Sequence, residues 1–486
     1  MVEGAGVIRD RIRFKNKIDN MNAKQYDIII IGGGSAGLGA LGMAKEFGWN
    51  PLMIDKDESH IGGDCLNFGC VPSKALIHIA KQFHGARKAN AFGLHVEGKA
   101  DMQKILDYVH DKQAVIREHE SADYIRAQGI DLVIGVASFV DEETIQVGTE
   151  YFTAPHIIIA TGSRPRHIPF KGIDQVEVYT NENLFYEMKQ LPERLLVVGG
   201  GPIGCEMAQT FQRFGSQVTI VNRGPRILSK EREEYSLILA DQMRKEGVTI
   251  IDNASLAAFS SSNSAIIEIK GEENLELTFD AVLMSIGRVL NLEDLQLEKG
   301  GIEIDERGKM ILDDRLRTSN KRVFASGDAA GMYQFSHGAE LHTRLLRYNF
   351  ENNFTKSHNA EHLSWVTFTQ PEIATFGHSE EYLQKNNIEY WRQDQDFSKD
   401  DRAIVDEYTY GKITLFLTPI TFWNKKRRII GGSIIAPNAG ELMQELTLAM
   451  EQELPIEAIH DKIYAYPVAT RINQQTIKGV IQNDKK

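Results

Sequence analysis

Two thiols carry the first chemical signal. Cys65 and Cys70 stand five residues apart in a chain of 486 residues that holds only three Cys. A close thiol pair serves redox exchange or metal binding; the bland alternative is two buried, inert thiols. No second Cys/His pair at ligand spacing accompanies them, so a zinc site is not supported and no bound metal is expected. In a regular helix, residues five apart rise about 7.5 Å, beyond the ~7 Å Cα separation that a disulfide tolerates. If the two thiols pair, the segment must therefore bend or loop at its start. Gly69 supplies that freedom, and Pro72 suits a first helical turn. A Cys at such a helix start has its thiolate favoured, and Lys74 adds positive charge nearby. The third thiol, Cys205, falls just inside a later helix and reads as core packing.

Two glycine turns form the second signal. The β-branched run 26–31 leads into Gly32-x-Gly34-x-x-Gly37, then a helical stretch to Phe47, then the apolar run 51–54 closed by Asp55. Gly32 permits the tight turn, Gly34 lets backbone N–H groups approach a pyrophosphate, and the helix N-terminus favours the anion. Asp55 can accept from ribose hydroxyls. The same grammar recurs: 195–198 leads into Gly199-x-Gly201-Pro202-Ile203-Gly204, a helix through Phe214, and the strand 217–221. Here the acid position holds Asn222, followed by Arg223 and Arg226. A carboxylate there would accept the ribose 2′-hydroxyl and repel a 2′-phosphate; a neutral Asn with two Arg does the opposite. The second turn thus leans to NADP over NAD. The alternative is that both Arg are surface charges and the specificity is mixed.

The elements that must position these groups are legible in outline. Residues 77–127 are helical in period, with apolar positions Ile105, Val109, Val115 and Ile116. Short strands are expected at 132–134, Thr144–Val147 and His156–Ile159. From about 360 the pattern changes: strand-like runs 411–417 and 428–435 flank Asn424-Lys425-Lys426-Arg427, which reads as a solvated hairpin tip, and a helix is expected over 440–451. Two nucleotide-fold beginnings mark a duplicated domain type, not a short-period solenoid. The length suggests about three domains at roughly 150 residues each. The net charge of −12 argues against nucleic acid or anionic membrane as the main partner. Thiol poverty excludes a disulfide-framed secreted protein. No run reaches the ~18 apolar residues of a transmembrane helix, and residues 1–24 have no apolar signal-peptide core. They read as an N-terminal extension, and a cytoplasmic location is expected.

Together these residues resemble the flavoprotein disulfide reductases, the family of glutathione reductase, dihydrolipoamide dehydrogenase and mercuric reductase, from about residue 25 to 470. Further motifs fall in family order. Ala160-Thr161-Gly162-Ser163 resembles the crossover out of the FAD domain, and Ile286-Gly287-Arg288-x-x-Asn291 the return. Ala325-Ser326-Gly327-Asp328 resembles the strand whose Asp binds the flavin ribityl and phosphate region, and the Thr367 to Glu372 stretch the start of the dimerisation domain. Asp401-Arg402-Ala403 and Gly440-Glu441-Leu442 look most like the mercuric-reductase-like branch. The resemblance implies an α/β fold with two Rossmann-like nucleotide-binding domains, for FAD and NAD(P), plus a C-terminal α+β dimerisation domain. Its expected boundaries are an extension at 1–24, the FAD domain at 25–165 and 288–358, the NAD(P) domain at 166–287, and the dimerisation domain at 359–486. FAD would be held by Gly32, Gly34, Ser35, Ala36, Gly37, Asp55, Lys56, Gly63, Asp64, Ala137, Ala160, Thr161, Gly162, Arg288, Gly327, Asp328 and Ala339. NADPH, with NADH possible, would be held by Gly199, Gly201, Pro202, Ile203, Asn222, Arg223, Arg226 and Gly287.

The implied roles follow. NADPH gives hydride to the flavin, and the flavin reduces a Cys65–Cys70 disulfide. Cys70 is the thiolate at the flavin, and Cys65 the exposed sulfur that attacks substrate. Lys74 sits near the flavin N5, paired with Glu206, where a fixed cation stabilises developing charge. The bland alternative for Glu206 is a solvated helix carboxylate.

The chain departs from the family near its C-terminus. Disulfide-reducing members carry His-Pro with Glu four residues after the Pro; here Tyr466 precedes Pro467 and Arg471 takes the Glu position. A phenol with a pKa near 10 is a poor base at neutral pH, unlike an imidazole near 6.5, and Arg cannot orient a base as a carboxylate does. Mercuric reductase carries a Tyr in this region, but its C-terminal Cys have no counterpart in 481–486. Leu41 stands where the first fingerprint prefers a small residue. The expected protein is a homodimeric FAD-dependent NAD(P)H oxidoreductase, with Tyr466 among its catalytic residues. Its small-molecule acceptor is not a standard disulfide: a metal ion, a thiol-reactive compound, a quinone or oxygen. The alternatives are a disulfide reductase in which His337 or His460 replaces the dyad, and a redox-sensing flavoprotein with vestigial turnover.

Overall fold

A computed structural model describes residues 23–98, 100–352, 355–359, 361–421 and 425–484. Residues 1–22 of the expected extension, and Asn424 of the basic run, lie outside the described residues. The described chain divides into two compact units, which are taken in turn.

The first comprises 23–73, 107–166 and 288–358. Its centre is a parallel sheet in the order Val323–Ala325, His156–Ile159, Ile28–Ile31, Pro51–Asp55, Asp131–Ile134. Ile28–Ile31 is the middle strand and is buried along its length. Ile29 and Ile31 pack into one core with Phe139, Phe152 and Ile157. Ile28 and Ile30 face another, with Ala36, Ala40, Leu41 and Ala44 of the helix Ser35–Glu46. A strand covered on both faces needs a continuous apolar run rather than alternation, which is what the sequence provides. Leu41 is accommodated within the second core.

The second unit comprises 74–106, 167–287 and 359–484. It repeats the parallel design: Val178–Tyr179, Ala281–Met284, Arg194–Val198, Gln217–Val221, Thr249–Ile251, with the helix Pro202–Phe214 after the middle strand. It also holds an antiparallel sheet ordered Ser364–Thr367, Glu372–Gly377, Ile429–Ala436, Lys412–Leu417, Trp391–Asp396. Phe376, Phe397, Leu415 and Ile434 share a core there with Leu446, Ile472 and Ile477 from following helices. The two parallel sheets and the C-terminal α+β portion are the expected fold class. No helix among the described residues is long and apolar enough to cross a membrane.

Three local expectations change. The helical stretch 77–127 is three α-helices, Cys70–Lys88, Met102–Arg117 and Ala122–Ala127. Ile105 and Val109 are buried, but Val115 is 62% exposed, because the i, i+4 stripe continues through the buried Gln113. The helix expected over 440–451 is two, Ala439–Leu442 and Gln444–Glu451. Arg427, assigned to a solvated tip, is buried: it donates two hydrogen bonds to Asp484, at 2.7 and 2.9 Å, and lies over Trp391.

Candidate active site

The thiol segment breaks where the spacing required. A short helix, Gly63–Asn67, ends at Phe68, and after Gly69 the long helix Cys70–Lys88 begins. Buried polar side chains fix this turn. Asn67 donates to the carbonyls of Ile61 and Gly63 at 3.1 and 3.0 Å and accepts from Arg117 at 2.6 Å. Gln113 donates to the carbonyls of Leu66 and Asn67, both at 2.9 Å. No disulfide joins Cys65 and Cys70. Their mutual hydrogen bond, aided by burial, pushes the Cys65 thiol far above its usual value, while the Ser336 hydroxyl opposes the shift. Ser336 Oγ lies 3.3 Å from Cys70 Sγ. Of the two, Cys70 is exposed and Cys65 is half-buried. The reason is local, since Cys65 sits inside the short helix whereas Cys70 opens the long one.

The first glycine turn is built as a cradle. Gly32 has φ +110°, and a Cβ there would stand 2.3 Å from the Ala160 carbonyl oxygen, so no larger residue fits the turn. Gly34 caps the helix Ser35–Glu46 without a side chain, leaving its first N–H groups to an incoming acceptor. Asp55 accepts from Gly33 N at 2.6 Å and Asp57 N at 3.1 Å, so it braces the turn as well as presenting a carboxylate. Lys56 beside it is exposed. A Cβ on Gly63 would be 2.5 Å from Gly34 Cα, and one on Gly327 2.8 Å from Ala36 Cβ. Both segments therefore close on the first helical turn. Arg288 donates to Ser163 Oγ and O, at 2.7 and 2.8 Å, and to Asp64 at 3.1 Å. Ser163 donates to Asp328 at 2.5 Å. Burial raises the Asp328 carboxyl pKa against the pull of Ser163 and Arg288. Ala137 and Ala339 are buried packing residues. Thr161 Oγ1 and Ser326 Oγ are buried without a hydrogen-bond partner. Uncapped helix donors, unpartnered hydroxyls and a held Arg–Asp set fit a bound dinucleotide.

One residue that sequence reading missed holds this loop. His342, fully buried, accepts at Nδ1 from Gly327 N at 3.1 Å. Burial, with the charge of His358 beside it, lowers its pKa to about 4.

In the second unit, Gly201 and Pro202 open the helix Pro202–Phe214, again without a side-chain cap, and Ile203 is exposed on its first turn. Asn222 is buried and donates to Asp252 at 2.7 Å and to the Gly224 carbonyl at 3.1 Å. Arg223 is exposed and lines a cavity of about 450 Å³ with Asn253, Glu268 and Lys270. Arg226 differs from expectation. Its guanidinium donates to the carbonyls of Leu228 and Ser229, at 3.0 and 3.1 Å, and so is committed to its own loop. Gly287, with φ +104°, ends this stretch of the unit. Lys74 Nζ, further along the helix Cys70–Lys88, is 2.9 Å from Glu206 Oε2 and 4.3 Å from the Phe368 ring centroid. Glu206 is buried rather than solvated, and its other oxygen accepts from Phe368 N at 2.9 Å.

Tyr466 is exposed, and its hydroxyl donates to Asp401 at 3.1 Å. Arg471 reaches the same carboxylate oxygen at 3.8 Å and lies 5.4 Å from the Tyr466 ring centroid. The carboxylate lost at 471 is thus supplied from 401, and its hydrogen bond pushes the Tyr466 phenol upward, away from service as a base. His337 stacks on Phe335, and His460 pairs with Asp461 at 2.8 Å. Cys205 is fully buried, as expected.

Comparison with known proteins places these arrangements. The sequence model of the pyridine nucleotide-disulphide oxidoreductases matches residues 26–345, and that of the family's dimerisation domain matches 363–476. The chain is 30% identical over 457 residues to a mercuric reductase of Staphylococcus aureus, covering 93% of this chain and 82% of that one. It is 31% identical over 465 residues to a dihydrolipoyl dehydrogenase of Mycoplasma genitalium, covering 94% and 98%. Among solved structures, the Cu(II) complex of the HOCl-induced flavoprotein disulfide reductase RclA from Escherichia coli aligns with a TM-score of 0.80 at 27% identity, covering 94% of this chain and 100% of that one.

Proposed function

The chain belongs to the pyridine nucleotide-disulphide oxidoreductase family, and from that premise we propose a homodimeric FAD- and NADPH-dependent oxidoreductase whose Cys65–Cys70 pair passes electrons to a thiophilic metal ion. FAD, when bound, supplies two-electron transfer between the nicotinamide and the thiol pair. The chain's own residues do the rest. The glycine turn at Gly32 to Gly37, with Arg288, Asp64 and Asp328, holds the flavin nucleotide, and the turn at Gly199 to Gly204 with Asn222 and Arg223 holds NADPH. Residues 25–165 with 288–358, 166–287 and 359–486 are the corresponding FAD, NADPH and dimerisation domains. Lys74, fixed by buried Glu206, offers a permanent cation to a reduced cofactor.

The observation that carries the choice of acceptor is the Tyr466–Asp401 hydrogen bond. A disulfide acceptor releases a thiolate that needs a proton, which an imidazole held by a carboxylate provides. Tyr466 has its proton engaged by Asp401 and a pKa raised beyond that role. A soft metal ion asks for none of this. It binds thiolate sulfur directly, and the two thiolates return to a disulfide as two electrons leave, reducing one divalent ion to the metal or two Cu(II) to Cu(I). The mercuric reductases, and the copper complex of the flavoprotein above, support this class of acceptor.

An acceptor screen on purified protein tests the reading. NADPH oxidation is followed with Hg(II), Cu(II), glutathione disulfide, lipoamide, a quinone and oxygen. Metal-dependent turnover that Cys65→Ser and Cys70→Ser both abolish is expected. Fast turnover with a disulfide and none with a metal would overturn the acceptor, and protein that releases no flavin on denaturation would overturn the whole scheme.

A further inference from the structure

Glu120 has no role in the scheme so far, yet its carboxylate bears on Cys65. Two side chains of the helix Met102–Arg117 are clamped to the short thiol helix: buried Gln113 donates to the carbonyls of Leu66 and Asn67, and Arg117 donates to Asn67 Oδ1. Beyond the helix end the chain tightens. His119 N donates to the Ile116 carbonyl at 3.1 Å, and Glu120 N to that of Arg117 at 3.3 Å. Bonds of this i→i+3 type eclipse side chains three apart, so Glu120 falls on the side of Arg117, the side turned to the thiol helix. Ser121 then caps the helix Ala122–Ala127, accepting from Tyr124 N at 3.2 Å, and the chain leaves that face. After the hydrogen bond to Cys70 and burial, the Glu120 carboxylate adds to the upward push on the Cys65 thiol, so its charge is felt at that sulfur. Glu120 itself is half-buried, and among the described residues its carboxylate has no hydrogen-bond or ion-pair partner; burial alone raises its pKa. The charged and titratable groups around it are engaged elsewhere: Arg117 by Asn67, His119 by the Tyr124 ring, Asp64 by Arg288. A half-buried carboxylate that nothing neutralises is weakly screened and keeps its field in the site.

We propose that Glu120 sets the charge preference of the thiol pair: its carboxylate draws cationic acceptors to the sulfurs and turns anionic ones away. The inference rests on the reading of Cys65 and Cys70 as the site that meets the acceptor, and it names a residue that favours a metal cation there over glutathione disulfide, whose carboxylates outnumber its amines. An opposite charge at the point of encounter speeds the right partner, and a like charge suppresses the wrong one.

The test uses full-length reduced protein at pH 8, well above the ordinary carboxyl range, and three methanethiosulfonates that share one reactive group: a trimethylammonium cation, the neutral methyl reagent and a sulfonate anion. In each reaction a protein thiolate attacks the sulfenyl sulfur, the bond to methanesulfinate breaks, and a mixed disulfide forms. The second protein thiolate then displaces the small thiolate and leaves a Cys65–Cys70 disulfide. Rates are read by mass spectrometry of quenched samples and divided by the rate of each reagent with 2-mercaptoethanol. The ratio of cation to anion cancels any change in the amount of thiolate, and the neutral reagent reports that amount. At low salt the unaltered chain should prefer the cation about tenfold, and about 0.5 M salt should shrink the preference. Glu120→Gln should cut it about threefold. An unaltered chain with no preference at low salt, or a Glu120→Gln protein with native circular dichroism and an unchanged ratio, would overturn the proposal. Flavin content and metal-dependent NADPH oxidation on the same samples separate the two ideas. A charge preference that Glu120→Gln reduces, in protein that holds no flavin, would sink the redox scheme and leave this assignment standing. Metal-dependent turnover with a ratio that Glu120→Gln does not move would do the reverse.

Discussion

The two glycine turns are near copies in backbone and opposites at their edge. Gly32 and Gly199 adopt φ +110° and +115°. A Cβ on Gly37 would meet the Gly32 carbonyl oxygen at 1.8 Å, and one on Gly204 the Gly199 oxygen at 2.0 Å. Beyond that the designs part. Asp55 accepts from its turn and presents a carboxylate, whereas Asn222 donates away from its turn, to Asp252 and Gly224, and leaves Arg223 facing outward. The bracing differs too. The first site leans on a titratable imidazole, His342 on Gly327. The second is tied by Ser285, whose hydroxyl donates to the carbonyls of Val198 and Gly199 at 3.0 Å each. The comparison teaches that one backbone cradle can be built twice and finished with opposite chemistry at the residue closing the second strand, an accepting carboxylate at Asp55 and a donating amide at Asn222.

The strongest way to break this comparison is to fill the turns. Gly32→Ala forces a Cβ onto backbone, so the variant is expected to lose its flavin. Gly199→Ala should keep flavin and lose reduction by NADPH. Visible absorbance and stopped-flow mixing read the two, and equal loss of both ligands in both variants would show that the sites are not separable.

Acid comes next. His342 titrates at about 4 when folded, against 6.5 as its ordinary value, so the unfolded chain takes the proton first. The stability it contributes is complete above pH 6.5 and is lost as pH falls towards 4, a change of about 3 kcal/mol. Urea unfolding at pH 7 and pH 4.5 should show the loss in the first site, seen as flavin release, and His342→Gln should flatten it. Ser285 does not titrate, so binding at the second turn should vary less over this range.

Exchanging the edge residue has a smaller effect. Asn222→Asp is expected to lower kcat/KM for NADPH about tenfold relative to NADH. Because Asp252 is 2.7 Å from the Asn222 amide, this variant places two carboxylates together, and adding Asp252→Asn should recover stability without restoring the NADPH preference. The smallest effect separates the two Arg. Arg223→Gln should weaken NADPH binding several-fold, whereas Arg226→Gln should change it by less than about twofold, because Leu228 and Ser229 already hold that guanidinium.

What the sequence made legible is what is local in it. The helix break between Cys65 and Cys70 follows from a five-residue spacing and Gly69, and both nucleotide folds follow from a strand, a turn and a helix in succession. What it hid lies across the chain. Asp401 meets Tyr466 over 65 positions, and Ser336 meets Cys70 over 266, distances at which no periodicity carries information. Charges misled for a related reason. Arg226 reads in sequence as a 2′-phosphate ligand and Arg427 as part of a solvated tip, but the carbonyls at 228 and 229 and the carboxylate of Asp484 claim them. His342 gave no signal, because a lone His in a helix is ordinary until Gly327 is seen to need an acceptor.

The burial of Cys205 has a consequence for measurement. Its sulfur is sealed in the core, so native protein hides it from reagents that must reach the thiol from solvent. Thiol titration of the folded chain therefore works as an electron counter. It should read two groups after full reduction and none after oxidation of the Cys65–Cys70 pair, with the third appearing only on denaturation, so that the redox state of the protein can be followed without reference to colour.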